Sequence, residues 1–345
     1  MSAAEPGLTV ALVGNPNTGK STLFNALTGL RQRVGNYPGV TVARKSGQCD
    51  CGDGTKVELI DLPGLYSLSA ASPDEQVVID ALSGHLADDR RPDAVVVVID
   101  ATNLLRNLFL ASQLSELDLP VVLVLNQADV ATEQGLKINT ELLSRRLGGI
   151  PVVLTSAWKG EGIAAVRRAI GEALRSRVRM PAVEWPPLVA EALADVAAGV
   201  TADIGRAPGR ADVERLLFDS TTSVGQRLGW AAPRRDVVIR AARDKVRRAG
   251  YNPLAAEPLI HYERLRKLLE GVVQGGGNRT GGSAAVDQVL LHRVLGPVVF
   301  AGIMLGMFAA VFWLAKFPMQ WISGGVDALK LGVDLCVTLV EVVFH

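Results

Sequence analysis

Gly14-Asn15-Pro16-Asn17-Thr18-Gly19-Lys20-Ser21 is the stretch from which the chain is read. The spacing G-x-x-x-x-G-K-S is that of the phosphate-binding loop of P-loop nucleotide hydrolases. Its flanks supply the context such a loop needs. Upstream, Leu8-Thr9-Val10-Ala11-Leu12-Val13 has the length and β-branching of a buried strand. Downstream, Lys20 to Thr28 predicts a helix that Gly29 terminates. The glycines let backbone N–H groups turn toward phosphate oxygens, and the helix N-terminus adds partial positive charge. In such a loop Lys20 reaches the β- and γ-phosphates and the Ser21 hydroxyl ligates Mg²⁺.

Working outward, residues 8–177 alternate strand and helix signals, which predicts an α/β doubly wound domain. Leu30 to Thr41, with Gly35, Asn36, Pro38 and Gly39, reads as irregular. Val40–Gln48 and Lys56–Ile60 read as a hairpin turning at Gly52-Asp53-Gly54. Ser72-Pro73-Asp74-Glu75 is a capping box with Pro at the first helical position, so a helix starts there. Further strands are expected at Ala94–Ile99, Pro120–Leu125 and Pro151–Thr155, with helices at Leu104–Leu117 and Gly162–Arg177. The expected nucleotide domain therefore spans 1–178. From Leu188 to Gln274 only helical periodicity is visible, in Leu188–Val200, Asp212–Thr222, Asp236–Arg248 and Pro258–Val273, which predicts a small all-α domain over 179–274. Gly275-Gly276-Gly277 and Gly281-Gly282 mark a linker, 275–290. The uncharged run Val294–Ala315 would cover roughly 33 Å as a helix and predicts a membrane span within 291–345. The Lys- and Arg-rich region before it places residues up to about 290 in the cytoplasm by the positive-inside rule.

Four further elements fall at strand ends, where ligands bind in doubly wound sheets. Asp61-Leu62-Pro63-Gly64 fits the element whose Asp orients Mg²⁺ and whose Gly N–H meets the γ-phosphate. Thr41, beside Gly39 and Val40, is placed to complete the Mg²⁺ shell. Asn126-Gln127-Ala128-Asp129 is a guanine reader, because a carboxylate accepts two N–H bonds that adenine cannot supply. Ser156-Ala157, followed by Trp158, would offer a backbone N–H to guanine O6. Each element alone is common; their order behind a P-loop is specific. The expected nucleotide site is thus Gly14 through Thr22 with Gly39, Val40, Thr41, Asp61, Leu62, Pro63, Gly64, Asn126, Gln127, Asp129, Ser156, Ala157 and Trp158. Lys20, Thr41, Gly64 and Asn17 are the candidates for catalysis of GTP hydrolysis.

Composition narrows the rest. A net charge of +1 gives no reason to invoke nucleic acid as a partner. The basic cluster Arg240, Arg243, Lys245, Arg247 and Arg248 reads as a solvated face, since acids are interspersed. The three cysteines are too few for a disulfide framework, and Cys49-x-Cys51 reads as part of a hairpin turn rather than a metal site. Met1 to Gly7 has no basic and apolar signal-peptide pattern.

Several stretches together resemble FeoB, the bacterial ferrous iron transport protein B family. They are the P-loop through Thr22, Arg33-Val34-Gly35-Asn36-Tyr37-Pro38-Gly39-Val40-Thr41-Val42, and Asp61-Leu62-Pro63-Gly64-Leu65-Tyr66-Ser67-Leu68. Asp100-Ala101-Thr102-Asn103-Leu104, Arg106-Asn107-Leu108 and Leu291-His292-Arg293 add to the match. The resemblance implies a cytoplasmic GTPase domain, a helical spacer and a polytopic domain that moves Fe²⁺ across the bacterial inner membrane. It also implies a K⁺ ion near the β–γ bridge, held by Asn17 and carbonyls around Gly35 and Tyr37; Asn17 is equally compatible with loop bracing. Gln127 stands where the family usually has Met, and Tyr37 where Trp is common. Leu65 follows Gly64 in place of a water-positioning Gln, so intrinsic turnover is expected to be slow. The expected partners are guanine nucleotide, the membrane and the transporter's own membrane domain, which is missing beyond one clear span; a homo-oligomer is compatible. The rival is a soluble regulatory GTPase of ribosome assembly or tRNA modification, which would not carry the apolar span.

Overall fold

The computed structural model describes residues 7–29, 32–36, 43–69, 73–84, 90–219, 223–275, 290 and 292–343. Two compact units emerge, Met1–Gly276 and Gly277–His345.

The first unit opens with β1 (Leu8–Gly14), α1 (Lys20–Thr28), β2 (Gln32–Asn36), β3 (Ala43–Asp50), β4 (Lys56–Asp61) and α2 (Pro73–Ser83). It continues through β5 (Ala94–Asp100), α3 (Leu104–Leu114), β6 (Val121–Asn126), α4 (Ala128–Glu133), β7 (Leu136–Ile138), α5 (Thr140–Arg146), β8 (Val152–Leu154) and α6 (Ile163–Ser176). A seven-stranded sheet runs in the order β2-β3-β4-β1-β5-β6-β8. Pairs from β4 to β8 are parallel, whereas β2–β3 and β3–β4 are antiparallel. This is the expected α/β P-loop GTPase fold.

Alternation along β5 shows how the strand sequence builds two layers. Val95, Val97 and Ile99 enter one core with Val77, Val78 and Leu82 of α2 and Leu104 and Leu108 of α3. Ala94, Val96 and Val98 enter the opposite core with Leu23, Phe24 and Leu27 of α1 and Val166 and Ile170 of α6. A period of two on a strand buried on both faces gives this division.

After α6 come α7 (Pro187–Ile204), α8 (Arg210–Phe218), α9 (Ser223–Arg227), α10 (Ala232–Arg248) and α11 (Pro253–Leu269). They close on their own core, which includes Val189, Val196, Leu217, Trp230, Val246 and Ile260. Pro at the start of α7, α10 and α11 fits positions whose N–H has no helical partner.

Three local differences from the sequence reading stand out. Gln32–Asn36 is a strand rather than irregular chain, because its backbone pairs with β3 although all five side chains are exposed. The segment Ala128–Arg146 holds α4, β7 and α5, each too short to show a clear period. A final strand, β9 (Val273–Gly275), pairs antiparallel with β7, so the chain returns after α11 to the strand that follows α4. Its partner is distant in sequence, and three residues carry no alternation signal.

In the second unit, Leu295–Val343 is one continuous helix, longer than the expected span of 294–315. Its window Leu295–Trp313 has mean hydropathy 2.2, and among the described residues this is the helix long and apolar enough to cross a membrane. Most of linker 275–290, together with Tyr37, Gly39, Val40 and Thr41, lies outside the described residues.

Candidate functional site

The P-loop leaves the end of β1 and enters α1. Gly14 and Gly19 are required by close packing. A Cβ on Gly14 would strike the Val98 carbonyl, and one on Gly19 would strike the Asn126 amide. Gly19 also has φ 79°, a conformation that favours glycine. Asn17 adopts φ 66°, which asparagine tolerates better than most residues. Thr18 Oγ1 donates to the Asn15 carbonyl at 2.9 Å and braces the turn. The Asn15 Oδ1 is buried without a hydrogen-bond partner.

The segment after β4 is drawn alongside the loop by two backbone bonds. Leu62 N–H donates to Leu12 O at 3.1 Å, and Leu65 N–H donates to Gly14 O at 3.2 Å. This places Gly64 against Pro16, where an added Cβ would stand 3.3 Å from the proline nitrogen. It also brings the Asp61 carboxylate to the Lys20 ammonium, and the two form a largely buried ion pair. Ser21 lies exposed in the first turn of α1. Asn17, Lys20, Ser21, Asp61 and Gly64 thus share one end of the sheet.

Asn126 joins the remaining loops. It is 3% exposed, and its Nδ2 donates to Thr18 O at 2.8 Å. Its Oδ1 accepts from Ala157 N–H at 2.9 Å and from Thr155 Oγ1 at 3.1 Å. Gln127, at φ 62°, donates from Nε2 to Asn17 O at 3.0 Å. The P-loop, the Asn126–Asp129 loop and the Ser156 loop are therefore one hydrogen-bonded assembly. Asn126 serves to hold these loops together, and of the Ser156-Ala157 backbone N–H groups, one of which was expected to serve guanine O6, that of Ala157 is engaged in the same assembly. Trp158 is 88% exposed beside it.

Asp129 lies in the first turn of α4, with Lys159 Nζ 3.3 Å from its Oδ2. Desolvation opposes ionisation of this carboxyl, but the Lys159 ammonium, the Ser156 hydroxyl and the Val130 N–H outweigh it and hold the group below its usual range. Lys159 was not among the residues expected from sequence; it stands outside the Ser-Ala pair.

A second group missed by the motifs pins the segment beyond Gly64. Leu68 N–H donates to Gln113 Oε1 at 2.8 Å, and the Gln113 amide donates to Glu257. Glu257 pairs with Arg215, which also donates to Ser69 Oγ. The Arg106 guanidinium stands over the Tyr66 ring, 5.2 Å from its centroid. These contacts join α3, α8 and α11 to the segment that follows Asp61–Gly64, in part through residues separated by more than a hundred positions.

Comparison with known proteins agrees with this geometry. Residues 8–170 match the family described as Ferrous iron transport protein B. The Fe(2+) transport protein A/Fe(2+) transporter FeoB fusion protein of Porphyromonas gingivalis is 34% identical over 336 residues, covering 92% of this chain and 38% of the relative. The Fe(2+) transporter FeoB of Salmonella typhimurium is 36% identical over 312 residues, covering 87% of this chain and 38% of the relative. The chain therefore spans 38% of the length of these curated relatives. Among solved structures, a mutant of S. thermophilus NFeoB bound to GDP matches with TM-score 0.67 and 33% identity, over 77% of this chain and 100% of the other. The cytosolic domain of L. pneumophila FeoB matches with TM-score 0.65 and 31% identity, over 77% and 99%. With these solved relatives matched almost end to end, the chain belongs to the FeoB family, ferrous iron transport protein B.

Proposed function

We propose that residues 1–178 bind and hydrolyse GTP as the cytoplasmic nucleotide module of a bacterial ferrous iron transporter. Residues 179–274 act as its helical spacer, 275–290 as a linker and 291–345 as the start of the membrane domain, in the inner membrane. One observation carries the reading most directly: Asn126 binds the P-loop and the Ser156 loop together, so phosphate-binding and guanine-reading elements face one site. The GDP-bound solved relative supports the choice of nucleotide. The apolar helix and the iron-transporter relatives favour this reading over a soluble regulatory GTPase.

Oxygen ligands suit Mg²⁺, and Ser21 and Asp61 supply them beside Lys20. With Thr41 they would hold the ion, which would neutralise phosphate charge. Lys20 would turn from Asp61 toward the β- and γ-phosphates, the stronger anionic partners. Gly64 would offer its N–H to the γ-phosphate. Leu65 supplies no group to orient water, so intrinsic turnover is slow, and K⁺ held near Asn17, Gly35 and Tyr37 would raise it. Phosphate release from GTP and ATP tests the function. GTP should be cleaved in a Mg²⁺-dependent manner, ATP should not, and Lys20→Ala should abolish turnover. Equal cleavage of both nucleotides would refute the guanine assignment.

A further inference from the structure

Lys159 belongs to none of the nucleotide motifs, yet its ammonium is the charged group paired with Asp129, beside the Ser156 hydroxyl and the Val130 N–H. Its loop is closed by two backbone bonds, Ser156 N–H to Glu161 O at 3.2 Å and Glu161 N–H to Ser156 O at 3.1 Å. Lys159 N–H donates to Ser156 O at 3.0 Å, and Gly160 at φ 75° completes the turn. Ala157 fastens the loop to buried Asn126. The backbone under Lys159 is therefore fixed. Asp129 stands on the six-residue helix α4, with its side chain 17% exposed. Gln127 is neutral and uses its Nε2 on Asn17 O, so it leaves the orientation of Asp129 to Lys159 and the Ser156 hydroxyl, of which Lys159 alone carries charge.

We propose that Lys159 is a positioning residue for base recognition, holding the Asp129 carboxylate so that it accepts both N–H bonds from the guanine edge. The inference rests on the reading of the site as a guanine-nucleotide site. A carboxylate has about four lone-pair positions, so two guanine N–H groups and one ammonium can be accommodated together. At 3.3 Å the Lys159 contact is longer than a tight charge-assisted bond of about 2.7–2.9 Å. It directs the carboxylate without occupying the positions the base needs. The opposite arrangement, in which the ammonium competes with guanine, makes the opposite prediction.

The experiment titrates GDP, IDP and ADP against the full chain, Lys159→Met and Lys159→Arg. IDP lacks the 2-amino group and so loses one of the two bonds. Lys159→Met should reduce the preference for GDP over IDP by about three- to fivefold, the scale of a partly exposed ion pair. Lys159→Arg should restore it. An unchanged preference, equal losses for GDP and IDP, or tighter GDP binding by Lys159→Met would overturn the proposal. Because the Lys159 side chain is 46% exposed, the substitution should leave the unfolding midpoint in place, which the same samples can report. A parent chain that fails to prefer GDP over ADP would instead overturn the guanine reading itself, before any variant is considered.

Discussion

Replacing Asn126 with Ala removes the join between the three loops. The truncation deletes one donor and one acceptor that serve three partners: Thr18 O, Ala157 N–H and Thr155 Oγ1. Thr18 and Thr155 are 2% and 1% exposed, so water cannot readily replace the lost amide. The Thr155 hydroxyl can rotate toward another acceptor, whereas the Thr18 carbonyl and the Ala157 N–H cannot. At about 1–3 kcal/mol for each buried group left unpaired, the loss from these two should be roughly 2–6 kcal/mol. Urea unfolding without nucleotide measures this directly. Asn126→Asp separates the two halves of the amide, keeping the acceptor and placing a carboxylate oxygen against Thr18 O. Its loss should be similar at neutral pH and smaller near pH 4, where a protonated carboxyl can donate to that carbonyl. GDP affinity should fall at least about tenfold in the alanine variant, because both loops lose their registration. A stability change below about 0.5 kcal/mol would show that the loops are held by something other than Asn126.

Other perturbations address separate parts of the account. Gly64→Ala places a Cβ 3.3 Å from Pro16 N, so single-turnover GTP hydrolysis should slow while GDP affinity stays within about twofold; equal losses would argue against a γ-phosphate role. Potassium chloride should accelerate hydrolysis by about tenfold over sodium chloride at equal ionic strength, less than the roughly 10³–10⁵ of an arginine finger, and Asn17→Ala should remove the difference. Equal rates in both salts would return Asn17 to loop bracing. Burial of His261 on α11, where its Nδ1 meets Ser112 Oγ at 2.7 Å, pushes its pKa down to about 4, so the folded state disfavours its protonation. Stability should be intact above pH 6.5 and decline toward pH 4, by up to about 3 kcal/mol from this group. His261→Phe should flatten that decline; an unchanged slope across that interval would assign it elsewhere.

Much of the nucleotide site is legible in the sequence because phosphate binding needs a fixed local pattern. Gly14 and Gly19 sit where any side chain would strike Val98 or Asn126, and Lys20 follows at the helix start. The unbroken apolar run Ala94–Ile99 in β5 likewise announces a strand buried on both faces. Strand β9 was illegible for the opposite reason: its stability comes from pairing with β7 across the whole helical region. Gln113, Arg215 and Glu257 were also hidden, since each reads locally as an ordinary polar residue of a helix and gains its role only when α3, α8 and α11 pack. Lys159 falls between these cases. It lies near a motif, but its role depends on the turn that carries it toward Asp129.

On the proposed reading, Asp129 recognises a guanine base at the site assembled around Asn126. Equilibrium titration of GDP and xanthosine diphosphate against the parent and Asp129→Asn is the test. The parent should favour GDP, and the variant should favour xanthosine diphosphate, because the amide reverses the hydrogen-bond pattern offered to the purine edge. Unchanged GDP affinity in Asp129→Asn, with no gain for xanthosine diphosphate, would remove Asp129 from the site.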